Sequence, residues 1–197
     1  LQLFKKQLEK LERKNYPIHI KLDTGMHRLG FEEKDLYELT DYLNQNKEFF
    51  EVKSIFSHLS GSDSEKFRDF TLHQFEVFKK LSDFVKKKLK INPVCHISNT
   101  SGISNYPELQ MDMVRLGIGL YGISNNENET KYLENVGTLK SVILQIKEIE
   151  KGESVGYSRS FVAEKPTRTA TIPIGYADGV PRALSNGKGY VLINNQK

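Results

Sequence analysis

Cysteine is almost missing from this chain. Cys95 stands alone among 197 residues, so no disulfide can close within it, and nothing in the composition points to an oxidising compartment. Long apolar runs are missing too. No stretch approaches the roughly 18 apolar residues of a membrane-spanning helix, and the opening LQLFKKQLEKLERK reads as a charged amphipathic helix rather than a signal peptide. A globular, cytoplasmic protein without a membrane partner is expected. The net charge of +4 raises the question of nucleic acid, yet the lysines gather on helical stretches such as Phe84 to Lys90. The phenylalanines fall on the opposite, apolar stripe, whereas a single-strand binder interleaves the two. No nucleic-acid partner is expected. His58 and His96 lack the short-spaced acidic or cysteine neighbours that complete a zinc shell, so no metal is expected.

What is present is enough for a core, with 38% hydrophobic residues. Up to about residue 123, apolar strands alternate with amphipathic helices, the pattern of a parallel sheet or barrel. Leu3, Leu8 and Leu11 share a helical stripe closed by Pro17, and Ile18 to Leu22 is a short strand. Leu36, Leu39 and Leu43 recur at helical spacing before a second strand, Val52 to Phe56. Ser64 then opens a long helix whose apolar face carries Phe67, Phe70, Phe75, Phe78, Leu81 and Val85, and Pro93 stops it. Val94 to Ile97 and Met111 to Val114 complete four expected strands.

Beyond Gly122 the texture changes. Residues 124–135 are polar and turn-rich, as in a linker, and period-2 segments follow at Val142 to Ile149, Thr167 to Ile174 and Gly189 to Ile193. Residues 136–197 therefore read as a mainly antiparallel β domain. A closed eight-stranded α/β barrel takes about 250 residues, so residues 1–123 supply part of one. The chain also opens inside a helical pattern without an initiating Met, which is expected of a central fragment.

In such barrels the chemistry lies at the carboxyl ends of the strands, and every strand here ends in polar residues. The first carries Lys21 and ends in Asp23-Thr24-Gly25, the second ends in Ser57-His58, and the third gives His96 and Ser98-Asn99-Thr100. The fourth gives Arg115 followed by Gly117-Ile118-Gly119, a fixed cation beside backbone N–H groups open to close approach by an anion. A phosphorylated cofactor suits that combination.

Six segments then carry a family resemblance: KLDTGMHRLGF from Lys21, FSHLSGSD from Phe56, HISNTSG from His96, VRLGIGLYG from Val114, GESVGYSRSF from Gly152 and PIGYADGVPR from Pro173. In order and spacing they resemble the alanine racemases. The resemblance implies the second half of a (β/α)8 TIM-type barrel followed by the start of a mainly antiparallel β domain. It also implies a pyridoxal 5'-phosphate enzyme, working as a head-to-tail homodimer, that interconverts L- and D-alanine and supplies D-alanine for peptidoglycan. Arg115 would then face the pyridine nitrogen, while Asn99, Thr100, Gly117 and Ile118 would hold the phosphate. Racemisation needs a base on each face of the substrate Cα. One is the cofactor-binding lysine; Tyr157 matches the other, a tyrosine from the partner subunit, with His58 as its neighbour. Arg28 would bind the substrate carboxylate or steady the phenolic oxygen, and Lys21 matches a lysine that is carbamylated in some relatives. Tyr176 would narrow entry to small amino acids.

Two departures accompany the match. Leu116 stands where the family usually has proline, and no segment resembles the cofactor-binding lysine motif, so the Schiff-base lysine is not in this chain and the chain alone is expected to be inactive. Serine racemisation within the same family and a non-catalytic cofactor-carrier barrel are the alternatives. Barrel-type decarboxylases take a catalytic cysteine from their second domain, and no cysteine follows Cys95.

Overall fold

The first strand, β1 (Tyr16–Lys21), follows a short helix, α1 (Gln2–Lys10), of which Leu8 is buried while Leu3 and Leu11 of the expected stripe stay exposed. This computed structural model describes residues 1–194 and 196. Asn195 and Lys197, at the end of the expected β domain, lie outside the described residues. The chain divides into two compact units, Leu1–Gly137 and Thr138–Lys197.

In the first unit, helix α2 (Leu36–Gln45) leads to β2 (Phe50–Phe56), and α3 (Arg68–Leu89) leads to β3 (Val94–His96). The strands pair in parallel in the order β1-β2-β3, with helices between them, an open arc of α/β barrel. Two helix boundaries have a local cause. Before α2 the Glu32 amide donates to Asp35 Oδ2 at 2.8 Å in a reciprocal cap, and α3 ends at Lys90 in a left-handed conformation with φ 54°. One face of each helix meets the sheet. Leu36, Leu39 and Leu43 from α2, and Phe78, Leu81 and Val85 from α3, pack on Ile20, Leu22, Ile55 and Cys95. Cys95, fully enclosed, serves as a small hydrophobe.

An irregularity in β2 decides which residues face away from the helices. Ile18 pairs with Val52, but His19 pairs with Ser54, so Lys53 is a bulged extra residue. Before it Phe50 and Val52 pack into the core; after it Ile55 does, and Ser54 and Phe56 turn to the other face.

The fourth expected strand, Met111 to Val114, does not form a ladder. Asp112 N donates to Cys95 O at 3.1 Å and Arg115 N to Ser98 O at 3.0 Å, but the Cys95 amide goes to the Asp112 carboxylate at 2.7 Å instead of to a strand carbonyl. A short helix, α4 (Thr100–Asn105), follows β3, and α5 (Glu127–Thr130) forms within the stretch expected to be a linker.

The second unit is built of antiparallel pairs. β4 (Gln145–Ile149) pairs with β7 (Thr167–Thr171), and a small hairpin joins β5 (Ser154–Val155) to β6 (Phe161–Val162). Gly189 to Ile193 alternates like a strand, yet among the described residues it forms no ladder, and its β-bridge joins Ile193 to Gln196.

Candidate active site

The site grows from the carboxyl ends of β1, β2 and β3. After β1, the Asp23 carboxylate accepts backbone N–H groups from Gly25, Met26 and His27 at 2.9, 3.1 and 3.1 Å. Burial opposes its charge, but those three amides and the nearby His27 outweigh it and hold the carboxyl below its usual range. The loop so organised carries Arg28, which is exposed, and returns at Gly30, whose φ of +135° and closeness to the Asp23 amide leave no room for a side chain.

Arg115 is the hub. Its guanidinium donates to the carbonyls of Ser57 at 2.6 Å, His96 at 3.3 Å and Ile97 at 3.4 Å. It also reaches Nδ1 of His58 at 3.2 Å and, in a short contact, Nδ1 of His96. Its Cζ lies 5.3 Å from the centre of the Phe56 ring, against which His96 stacks at 5.2 Å. Because a guanidinium only donates, both imidazoles must accept at Nδ1 and carry their proton at Nε2. His96 Nε2 is 3.1 Å from Ser54 Oγ, which lies 2.7 Å from His19 Nδ1. The bulge at Lys53 is what turns Ser54 into that line. Burial, then the Arg115 charge, lowers His58, with Arg28 and Lys21 adding to the effect; burial, Arg115 and His19 push His96 down to about 4. Both rings are neutral at pH 7. Burial also lowers Arg115 from its ordinary value, though a guanidinium keeps its charge.

Thr100 prepares the other side. Its Oγ1 accepts from Gly117 N at 2.9 Å and Gly119 N at 3.3 Å, which leaves its own proton to donate. Gly119 allows that approach: a Cβ there would stand 2.8 Å from the Thr100 methyl. Asn99 caps α4, its Oδ1 accepting from Gly102 N at 2.9 Å and Ser62 Oγ at 2.8 Å and its Nδ2 donating to Leu59 O at 3.0 Å. Its Oδ1 and one of its two Nδ2–H donors are thereby used within the protein. A cleft of about 430 Å³ lies over this group, bordered by His58, Ser62, Asn99, Thr100, Arg115 and Gly117. Ile118 borders it as well, at the start of a 3-10 turn, Ile118–Tyr121.

Comparison with known proteins places the chain in a family. The family description "Alanine racemase, N-terminal domain" matches residues 1–125, and "Alanine racemase, C-terminal domain" matches residues 136–197. The chain belongs to the alanine racemase family. The alanine racemase of Fusobacterium nucleatum is 43% identical over 196 residues, covering 97% of this chain and 53% of that protein. Among solved structures, alanine racemase from a D-cycloserine-producing Streptomyces lavendulae superposes with a TM-score of 0.84 at 27% identity, over 99% of this chain and 52% of that one. The enzyme from Bartonella henselae, determined with covalently bound pyridoxal phosphate, gives 0.67 at 32% identity, over 93% and 49%. The chain thus spans about half the length of the alanine racemases it matches.

Of the residues singled out by motif, the structure brings together His58, Asn99, Thr100, Arg115, Gly117 and Ile118. Lys21 and Arg28 act on His58 through their charge. Tyr157 and Tyr176 belong to the second unit, where Tyr157 is 98% exposed. Motif reading of an alanine racemase missed the His19–Ser54–His96 line and the buried Gln74 beneath the loops. A signal for the second existed: Gln74 is a polar residue on the apolar stripe of α3.

Proposed function

We propose that the protein containing this chain interconverts L- and D-alanine with pyridoxal phosphate. The observation that carries the reading is the pairing of a half-buried cation, Arg115, with Thr100, whose hydroxyl proton is left to donate by the Gly117 amide, on one cleft. The donor set fits the group. Thr100 retains a proton to give, Ile118 sits at a turn start where the first N–H has no partner within the turn, and both suit a phosphate. Arg115 suits a pyridine nitrogen that is to stay unprotonated, because a guanidinium holds its proton too tightly to release it.

Bound there, pyridoxal phosphate supplies an electron sink that acidifies the substrate Cα proton. The chain's own residues do the rest. Arg115 orients the ring and, by withholding its proton, weakens the sink enough to discourage transamination. His58, with its proton at Nε2, is the donor that steadies the phenolate of Tyr157, which moves the proton on one face of Cα. An unaided phenol titrates near 10, so that help is required for it to act as a base. The lysine that serves the other face belongs to a part of the protein outside this chain. Tyr157 reaches the site from a second copy in a head-to-tail homodimer, a reading supported by its full exposure. Arg28 binds the substrate carboxylate, Tyr176 limits entry to small side chains, and a carbamate on Lys21 would turn a repelling cation into an anion for Arg28. In this reading the enzyme is cytoplasmic and supplies D-alanine for peptidoglycan. No helix among the described residues is long and apolar enough to cross a membrane.

Racemisation of both enantiomers of alanine, with serine in parallel, by the full-length protein tests the reading. Tyr157→Phe is expected to slow proton transfer in one direction by about 10² to 10⁴-fold, the usual worth of a general base, and the reverse direction less. No racemisation of either amino acid by the unmodified protein would overturn it.

A further inference from the structure

The apolar stripe of α3 passes through Thr71, Phe78, Leu81 and Val85, all buried, and Gln74 lies on the same stripe with no exposed surface. A buried primary amide is costly unless its donors and acceptor are used. Here they are used on one short turn. The Oε1 atom accepts from the Ser60 amide at 3.0 Å and from the Ser60 hydroxyl at 3.3 Å. The Nε2 atom donates to the His58 carbonyl at 3.3 Å and lies 3.5 Å from Thr24 Oγ1. Thr24 in turn meets Ser57 Oγ at 2.8 Å.

We infer that Gln74 is a positioning residue for His58: one helix side chain fixes the backbone of the turn that carries the imidazole and ties it to the loop after β1. The ring is thereby held from two sides. Arg115 reaches its Nδ1 at 3.2 Å and the preceding carbonyl, of Ser57, at 2.6 Å, while Gln74 holds the carbonyl of His58 itself and the amide two residues on. Without the amide, the Ser60 N–H and the His58 C=O lose their protein partners, and the partly buried turn is free to rotate toward others. Such a rotation draws the imidazole away from Arg115. His96 meets the same guanidinium but takes its place from β3 and from Ser54, whereas the hydrogen bonds of Gln74 go to Ser60, His58 and Thr24. The two histidines therefore separate a positioning effect from general loosening.

The importance of His58 rests on the functional reading above, whereas its placement does not. The test uses the 197-residue chain with 15N-labelled histidine, comparing long-range 1H–15N spectra of the parent and Gln74→Leu across pH. The expected result is a His58 Nδ1 signal that leaves the position of a fixed acceptor for that of a mixture of tautomers. Its midpoint moves up toward the ordinary value of about 6.5, with His96 unchanged. His58 unmoved, or His58 and His96 moving together, would overturn the inference. Should Gln74→Leu fail to fold, Gln74→Glu keeps the acceptor for Ser60 and removes the donor to His58 when ionised. The same selective movement of His58 is then expected, and two unmoved rings overturn the inference. A full-length protein that fails to racemise would overturn the functional reading and leave these spectra as they are.

Discussion

The two units of this chain are built on different terms. The first encloses a continuous core from Leu8 to Leu109, sealed by helices on one face of a three-stranded parallel sheet. In the second, Ala163 is the only buried hydrophobic residue among those described, and Val142, Leu144, Ile146, Phe161 and Val162 of the strands and their flanks are exposed. Two-stranded ribbons without a covered face are marginal in water. The difference teaches that the polar machinery around Arg115 is held by its own packed scaffold, whereas the segment bearing Tyr157 draws little rigidity from within itself.

The comparison can be broken most decisively at Gly30. Its backbone is in the left-handed region, and a Cβ would stand 2.6 Å from the Asp23 amide nitrogen. Gly30→Ala is expected to cost on the order of 4 kcal/mol or prevent folding of the first unit, read as a fall in the urea midpoint. Acid comes next. His96 takes up a proton near pH 6.5 when unfolded but only near 4 when folded, so between those values the unfolded state binds more protons and stability falls as pH falls. The loss is on the order of 3 kcal/mol by pH 4, and stability is full above 6.5. Thermal melts across that range check it, and His96→Gln should remove most of the slope. Smaller again is Asp23→Ala, which strips three amides of their acceptor; a cost of about 2 kcal/mol is expected, with faster hydrogen exchange at Gly25 to His27. At the bottom lies Ile146→Ala in β4, 54% exposed and expected to change stability by less than about 0.5 kcal/mol. A core-sized penalty there would mean that the second unit is covered in solution, and the contrast would fail.

Much of this was legible in the sequence. Helix and strand periods located α2, β2, α3 and β3, and polar residues at strand ends assembled the Arg115 cluster, because both signals follow from short-range geometry. The failures share a cause. Met111 to Val114 and Gly189 to Ile193 alternate like strands, but a strand exists only with a partner, and pairing is not written in either segment alone. In one case an aspartate took the neighbour's amide; in the other a single bridge formed. The β5–β6 hairpin is too short for any period to register. Gln74 went unread because its partners lie 14 to 50 residues away.

Lys53 gives the scaffold a kind of reading frame. A strand counts its side chains in twos, and this one inserted residue shifts the count, so that every position after it answers to the opposite face. Pairing Lys53 in register, without the bulge, would leave composition and hydrophobicity untouched. Yet it would present Lys53 where Ser54 now meets two imidazoles, and the histidine line would be lost through arithmetic alone.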